Sequence, residues 1–187
     1  MSQAIISLKS SAPYSQSQNI RDDRKEGESW TEYEERIAPK RTHVNEDGFV
    51  FIPPTALKWC LQSAADRLKM PLGPGYGKRT FPPLFRGGVE IGFAPIVLPI
   101  RSEDVEYEWL YLNADGVRHS GKRIWRLMPK IREWEAEVEC LVLEPLITKK
   151  VLRDHWVAAG RFIGIGRFRA EKSGYYGRFE VEKLKWK

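Results

Sequence analysis

Hydrophobic positions along this chain switch between a two-residue period and a helical one, and the switches mark its elements. Residues 4–9 (AIISLK) alternate loosely and predict a first strand. From Ser10 to Lys40 the chain is polar and carries Asp22, Asp23 and a glutamate-rich SWTEYEER that can form a short helix ending before Pro39. The run Asn45 to Gly48 is a turn signal, and Phe49 to Ile52 is a short extended piece closed by a proline pair. The clearest helix spans Thr55 to Lys69, where Leu57, Cys60, Leu61, Ala64 and Leu68 share one face. Pro54 and Thr55 supply its first-turn and capping chemistry, and Pro71 with Gly73 ends it. A glycine loop from Gly73 to Gly77 leads into a proline-broken stretch around Phe81 to Phe85.

Val89 to Ile100 is extended and apolar, and Pro95 and Pro99 make it an edge or bulged strand. Tyr107 to Leu112 and Ile124 to Leu127 flank the turn Asn113 to Gly116 and predict a long hairpin with a basic tip. Trp134, Ala136, Val138, Cys140 and Val142 alternate with Glu135, Glu137 and Glu139, which is the pattern of a half-buried strand. Thr148 caps a second helix through Ala159, with Val151, Leu152, His155 and Trp156 inward and Gly160 as a left-handed cap. A last strand covers Tyr175 to Trp186. Reduced to its core the order is βαββαβ. That predicts an α+β, ferredoxin-like (RRM-like) fold with two helices on one face of an antiparallel sheet and the other face or the edge loops open to a ligand.

Length and composition narrow the function without naming it. The 187 residues fit one domain, and a 42% hydrophobic content suffices for a core. A net charge of +6 points to a polyanionic partner. Cys60 and Cys140 both fall in apolar patterns and read as small buried hydrophobes. His43, His119 and His155 are isolated, so no zinc site and no cofactor are expected. No apolar run is long enough to span a bilayer and no apolar signal region opens the chain, so no membrane partner and a cytoplasmic protein are expected.

Three segments carry candidate chemistry. Gly160 to Arg169 (GRFIGIGRFR), followed by Gly174 to Arg178 (GYYGR), leaves a helix and enters a strand. A dinucleotide fingerprint does the reverse. Its Gly164 and Gly166 allow close backbone approach, Arg161, Arg167, Arg169 and Arg178 supply charge for phosphates, and Phe162 and Phe168 supply flat surfaces for bases. The alternative is a glycine-rich bend with solvated arginines and core aromatics. Lys58 lies in the first turn of the first long helix, where unpaired N–H groups favour phosphate. Arg118, Lys122, Arg123 and Arg126 surround Trp125 on the hairpin, with no acid among them.

The order of two of these motifs resembles the RAMP superfamily of CRISPR proteins. Ile52-Pro-Pro-Thr-Ala-Leu-Lys58 is similar to the family's helix-entry motif, with Pro54 where glycine is usual and Trp59 where a small residue is common. Gly164-Ile-Gly-Arg167 through Gly177 is similar to its glycine-rich loop. The resemblance covers both ends of the chain and weakens in the middle. Together with the chain's size it implies a reduced or free-standing relative of the effector backbone subunits. Those have a ferredoxin-like palm, inserted fingers and a β-hairpin thumb, and they stack in copies along a guide RNA. Here residues 1–187 would form one such domain, with 10–48 as a finger-like insertion and 101–132 as the thumb-like hairpin. The implied partners are guide-type single-stranded RNA, further copies of the chain and other CRISPR effector subunits.

Two other readings differ in class. Some backbone subunits cut RNA with an aspartate after the first strand, and Asp22 and Asp23 lie in that region, although the run Arg21 to Arg24 also reads as a solvated ion-pair cluster. A repeat-processing, metal-independent endoribonuclease of the same superfamily would use His43 as base, with Lys40 or Arg41 stabilising the transition state. The third reading is an inhibitor that mimics a backbone subunit and joins a host complex. The expectation from sequence is binding without catalysis.

Overall fold

The alternating segments from the two ends and the middle of the chain find each other in one sheet. The computed structural model describes residues 1–113 and 121–187. In chain order its elements are β1 (Ser2–Ser10), α1 (Trp30–Ile37), β2 (Phe49–Ile52), α2 (Pro54–Leu68), α3 (Pro82–Gly88), β3 (Val89–Ile91), β4 (Ile96–Arg101), β5 (Glu106–Asn113), β6 (Arg123–Lys130), β7 (Glu135–Val142), α4 (Lys149–Ala158) and β8 (Phe179–Trp186). The architecture is α+β. Its four-stranded sheet has the order β3-β7-β1-β8, and every pairing in it is antiparallel.

The register puts Ala4, Ile6 and Leu8 opposite Cys140, Val138 and Ala136. These side chains form one buried face, and they share a core with Leu57, Leu61 and Ala64 of α2 and Leu152 and Trp156 of α4. Each leucine, isoleucine or valine side chain among them contributes about 1.5–3 kcal/mol through burial. The opposite face carries Glu135, Glu137 and Glu139, as the strict alternation of β7 predicts. β8 lies at one edge of the sheet, and its exposed Glu180, Glu182, Lys183 and Lys185 discourage further strand pairing.

Several boundaries differ from the sequence pattern. The apolar run Val89 to Ile100 is two strands: β3 joins the main sheet, and β4 turns away to pair with β2. The break falls at Gly92 to Pro95, where proline removes a ladder donor. The proline-broken stretch near Phe81 is helical, because Pro82 and Pro83 occupy first-turn positions that need no N–H. Thr55 does not cap α2: the cap is Pro53, with no side-chain bond, and Thr55 lies inside the first turn. Gly160 is not a left-handed cap. α4 runs on into a π-helical turn, Ala159–Ile163, and the positive-φ residue that ends it is Gly164. Gly160 is needed for space, since a Cβ there would lie 2.0 Å from the Phe179 carbonyl oxygen. Thr148 does cap α4, its hydroxyl accepting from the Val151 N–H at 3.3 Å. The last strand starts at Phe179 rather than Tyr175. No described helix is long and apolar enough to cross a membrane.

Candidate nucleic-acid interface

β5 and β6 pair from Glu106 opposite Lys130 to Asn113 opposite Arg123. Outside the main sheet, a two-stranded ribbon of this kind is marginal by itself and needs support. The polar segment before β2 provides it. Ser29 opens α1 with a reciprocal capping box, its own N–H donating to Glu32 at 2.8 Å and its hydroxyl accepting from the Glu32 N–H at 3.3 Å. The helix then presents Trp30 and Glu34 to the outer edge of β6. Trp30 Nε1 donates to the Trp125 carbonyl at 2.9 Å, the Leu127 N–H donates to Glu34 at 2.9 Å, and Arg41 donates to the Leu127 carbonyl at 2.5 Å. Side chains thus satisfy backbone groups that a lone hairpin would leave to water.

The glycine-rich segment is fastened to the chain just after β1. The Arg167 N–H donates to the Ser15 carbonyl at 2.8 Å, Gly177 to Pro13 at 2.7 Å and Ile165 to Gly177 at 3.0 Å. Gly166 has a φ of +73°, and a Cβ there would lie 2.3 Å from the Ser15 carbonyl oxygen and 2.4 Å from the Tyr14 ring. Its lack of a side chain serves this backbone-to-backbone packing, as does that of Gly164, which faces Gly177. The tie to the hairpin is polar. Tyr176 donates to Glu108 at 2.7 Å, and Glu108 also pairs with Lys130 at 2.8 Å. Burial, with the Glu108 charge beside it, pushes the Tyr176 hydroxyl up to about 12.

Where the hairpin meets this segment, two adjoining cavities share Arg167 and Asn113. One, of about 420 Å³, is strongly polar and is lined by Arg41, Arg126, Arg167 and residues 17–20. The other, of about 750 Å³, is more apolar and is lined by Tyr111, Leu112, Phe168, Arg123 and Lys172. Arg167 is held below the ordinary arginine range, first by burial of part of the side chain and then by the like charges of Arg126 and Arg41. Phe168 has a φ of +53°, a costly conformation for a bulky residue, and meets Tyr176 edge-on with ring centroids 5.9 Å apart. Tyr111 and Trp125, directly opposite on the hairpin, are both more than half exposed, with their ring centroids 5.3 Å apart. Cations next to flat rings are what a single strand of nucleic acid requires.

The structure divides the sequence-predicted residues. Arg123, Arg126, Arg167 and Phe168 line these cavities, Trp125 stands beside them against Tyr111, and exposed Lys122 immediately precedes Arg123 in the chain. Arg118, like His119, lies outside the described residues. Arg161, Phe162 and Arg178 gather in a separate groove of about 700 Å³ beside the end of α4 and the start of β8, where Arg67 and Arg161 both stand over the Phe162 ring. Arg169 is bound to Glu171 at 2.8 Å. The Lys58 ammonium donates to the carbonyls of Phe85, Arg86 and Val89 at the end of α3, so it is spent inside the fold rather than offered to a phosphate. Sequence reasoning did not assign Glu34, Tyr111, Asn113 or Lys172 to a site, and it gave Arg41 only a catalytic alternative. Glu34 had a readable signal: Trp30, Tyr33, Glu34 and Ile37 fall at i, i+3, i+4 and i+7, which places a carboxylate on the inward stripe of α1.

Of the catalytic alternatives, Arg41 lines the polar cavity, whereas Asp22 and His43 line neither cavity. Asp22 pairs with Arg36 at 2.9 Å and Lys40 at 2.5 Å, and the Lys40 and Arg36 hydrogen bonds hold its carboxyl below the usual range. His43 packs against Phe51 with centroids 5.4 Å apart, and burial lowers its pKa. Among the described residues no group of histidine, cysteine and carboxylates is arranged to hold a metal.

No protein-family model matches the chain, and no curated protein matches it. Among solved structures it is similar to a chain of the Type III-B Cmr-β complex, determined by cryo-EM bound to cognate target RNA. The TM-score is 0.51 at 12% identity, and the match covers 99% of this chain and 60% of that one. The chain therefore spans less than two thirds of its structural neighbour, and at this identity the likeness is one of fold.

Proposed function

We propose that this protein binds single-stranded RNA of guide type in the groove between the β5–β6 hairpin and the glycine-rich segment, and that copies of it assemble along the strand. The observation that carries the reading is the convergence of Arg41, Arg126 and Arg167 with Tyr111 and Phe168, from segments far apart in sequence, on two adjoining cavities. In this reading the molecule is a ferredoxin-like palm of the RAMP type. The strand order β3-β7-β1-β8 and the two helices on one face support that, with residues 10–48 as fingers and 101–132 as thumb. Fold similarity to a chain of an RNA-bound Cmr-β complex supports RNA and CRISPR effector subunits as partners. In this reading the protein binds without cutting, which the ion pairs of Asp22 with Arg36 and Lys40 and the contact of His43 with Phe51 support.

The test is a competition between a labelled single strand and its duplex, followed by mass photometry on RNAs of increasing length. Preference for the single strand and stepwise addition of copies are expected. Equal affinity for duplex, or a strict monomer on long RNA, would sink the reading. Discrete cleavage products abolished by His43→Ala would replace it with the endoribonuclease, and RNA-free heteromeric complexes would replace it with the mimic.

A further inference from the structure

Glu34 is a fully buried carboxylate bonded to Arg41 and Arg126, two of the three arginines that line the polar cavity. It accepts from Arg41 Nη1 at 2.6 Å and Nη2 at 3.0 Å, from Arg126 Nη1 at 3.3 Å and from the Leu127 N–H at 2.9 Å. A carboxylate has about four lone-pair sites, so Glu34 is saturated. The paired fork of Arg41 fixes the guanidinium plane as well as its distance. Arg167 brings positive charge to the same cavity, since among the described residues no carboxylate lies within reach of its guanidinium. The cavity between these groups is also lined by Ser17, Gln18 and Asn19, whose polar groups suit an anion's oxygens.

We propose that this cavity is a seat for one phosphodiester of the bound strand, and that Glu34 is the positioning residue that holds Arg41 and Arg126 in place for it. The seat rests on the RNA reading and narrows it to a single phosphate. Arginine side chains fixed before binding lose less freedom when the anion arrives. That offsets the repulsion of one buried negative charge near a polyanion. Arg167 completes the seat from the other side, because its backbone is anchored to Ser15.

General electrostatics and positioning predict opposite signs for Glu34→Gln. Removing a negative charge beside a polyanion should tighten binding. Releasing the two arginines should weaken it, by at least roughly tenfold. We expect weakening, with the salt slope of RNA binding reduced by about 0.7, as for one lost phosphate contact. Arg167→Gln should cause the same loss of slope by about 0.7 with an unchanged Tm, because among the described residues its side chain makes no hydrogen bond or ion pair. A folded Glu34→Gln that binds as tightly or more tightly overturns the proposal. Should that variant not fold, an unchanged slope in Arg167→Gln overturns it instead. Inorganic phosphate gives an arm independent of RNA, with chloride at matched ionic strength as control. If the wild type binds no RNA, the RNA reading fails alone. The seat is then kept by phosphate raising the wild-type Tm but not that of Arg167→Gln, and lost if phosphate raises neither.

Discussion

The open face of the sheet and the groove beside the hairpin carry opposite charge, and they are built in opposite ways. The sheet face holds a cleft of about 710 Å³ lined by Glu135, Glu137, Glu139 and Glu182, of which Glu135 and Glu182 face Lys9 at 3.2 and 4.0 Å. The chain as a whole has a net charge of +6. The acids stand there because β7 alternates, so every outward position is solvated at no cost to the core. The groove is assembled from insertions instead: α1, the residues around Arg41, the hairpin and the segment after the π-helical turn. A cleft lined by carboxylates disfavours phosphates, whereas a groove lined by arginines favours them. In the proposed reading, the sheet face that the fold class offers by default is left unused and the strand is bound by the excursions.

The largest effect should come from reversing charge in the groove. Arg123→Glu with Arg167→Glu places carboxylates on both cavities and should weaken RNA binding on the order of 100-fold at physiological salt. The salt slope should fall by about 1.4, two single-strand contacts' worth. Fluorescence anisotropy across a salt series checks both. An unchanged slope would break the contrast, because the groove would then be no more involved than the sheet.

Trp125→Ala sharpens it next. The ring is exposed at 55%, so the fold should keep its Tm, whereas loss of a stacking platform should cost about 1–3 kcal/mol of affinity. Phe168→Ala serves as the comparison. Its ring is half-buried against Tyr176, so a fall in Tm along with affinity would assign it to packing. If Trp125→Ala lowers Tm and spares affinity, the hairpin is structural.

How much of this contrast the sequence reveals follows from which information is local. β7 and α2 are legible because alternation and helical spacing are properties of short windows. The split of Val89 to Ile100 is not: Pro95 announces an interruption, but whether β4 joins β7 or β2 depends on chain far away. The same holds for side chains. Lys58 looks like a first-turn phosphate ligand until the carbonyls of Phe85, Arg86 and Val89, brought in by α3, claim its protons. Gly164 and Gly166 look like glycines that admit a ligand's phosphate, yet the groups that approach them are Gly177, Ser15 and Tyr14. The basic hairpin is legible from composition. Its buttress is legible only through Glu34 on the inward stripe of α1.

Acid should separate stability from binding. His155 is fully buried, its ring stacked on Phe85 at 4.1 Å and its Nδ1 2.7 Å from the Val151 carbonyl. Burial lowers its pKa, outweighing the Val151 hydrogen bond and Asp154. With the folded value below the unfolded one, the unfolded state binds more protons in acid. Stability is complete above the unfolded value near about 6.5 and is lost as pH falls through the folded one. Tm should therefore drop between neutral pH and pH 5, with His43 adding in the same direction. His155→Phe keeps an aromatic ring there and should flatten that slope. Arginines do not titrate in this window, so the groove's salt slope should stay constant while Tm falls. A slope that changes with Tm would tie RNA binding to the core histidine.

The smallest expected effect is the most exacting check on the contrast. Glu137→Lys with Glu139→Lys reverses two charges on the open sheet face. Both side chains are solvent-exposed on an antiparallel strand, so the fold should lose less than about 0.5 kcal/mol. At physiological salt the screening length is about 8 Å, and surface charges farther than that from the strand are largely screened. A strand running in the hairpin groove should therefore gain only a small, slope-neutral increase in affinity, within about threefold, from the added positive charge. The direction matters less than the slope. Two new phosphate contacts would raise the slope by about 1.4, which is well resolved in the same salt series. If that rise appears, together with a large gain in affinity, the wild-type acids were standing in the strand's path. The sheet face would then be part of the RNA route, held back by Glu137 and Glu139, rather than a surface the strand avoids.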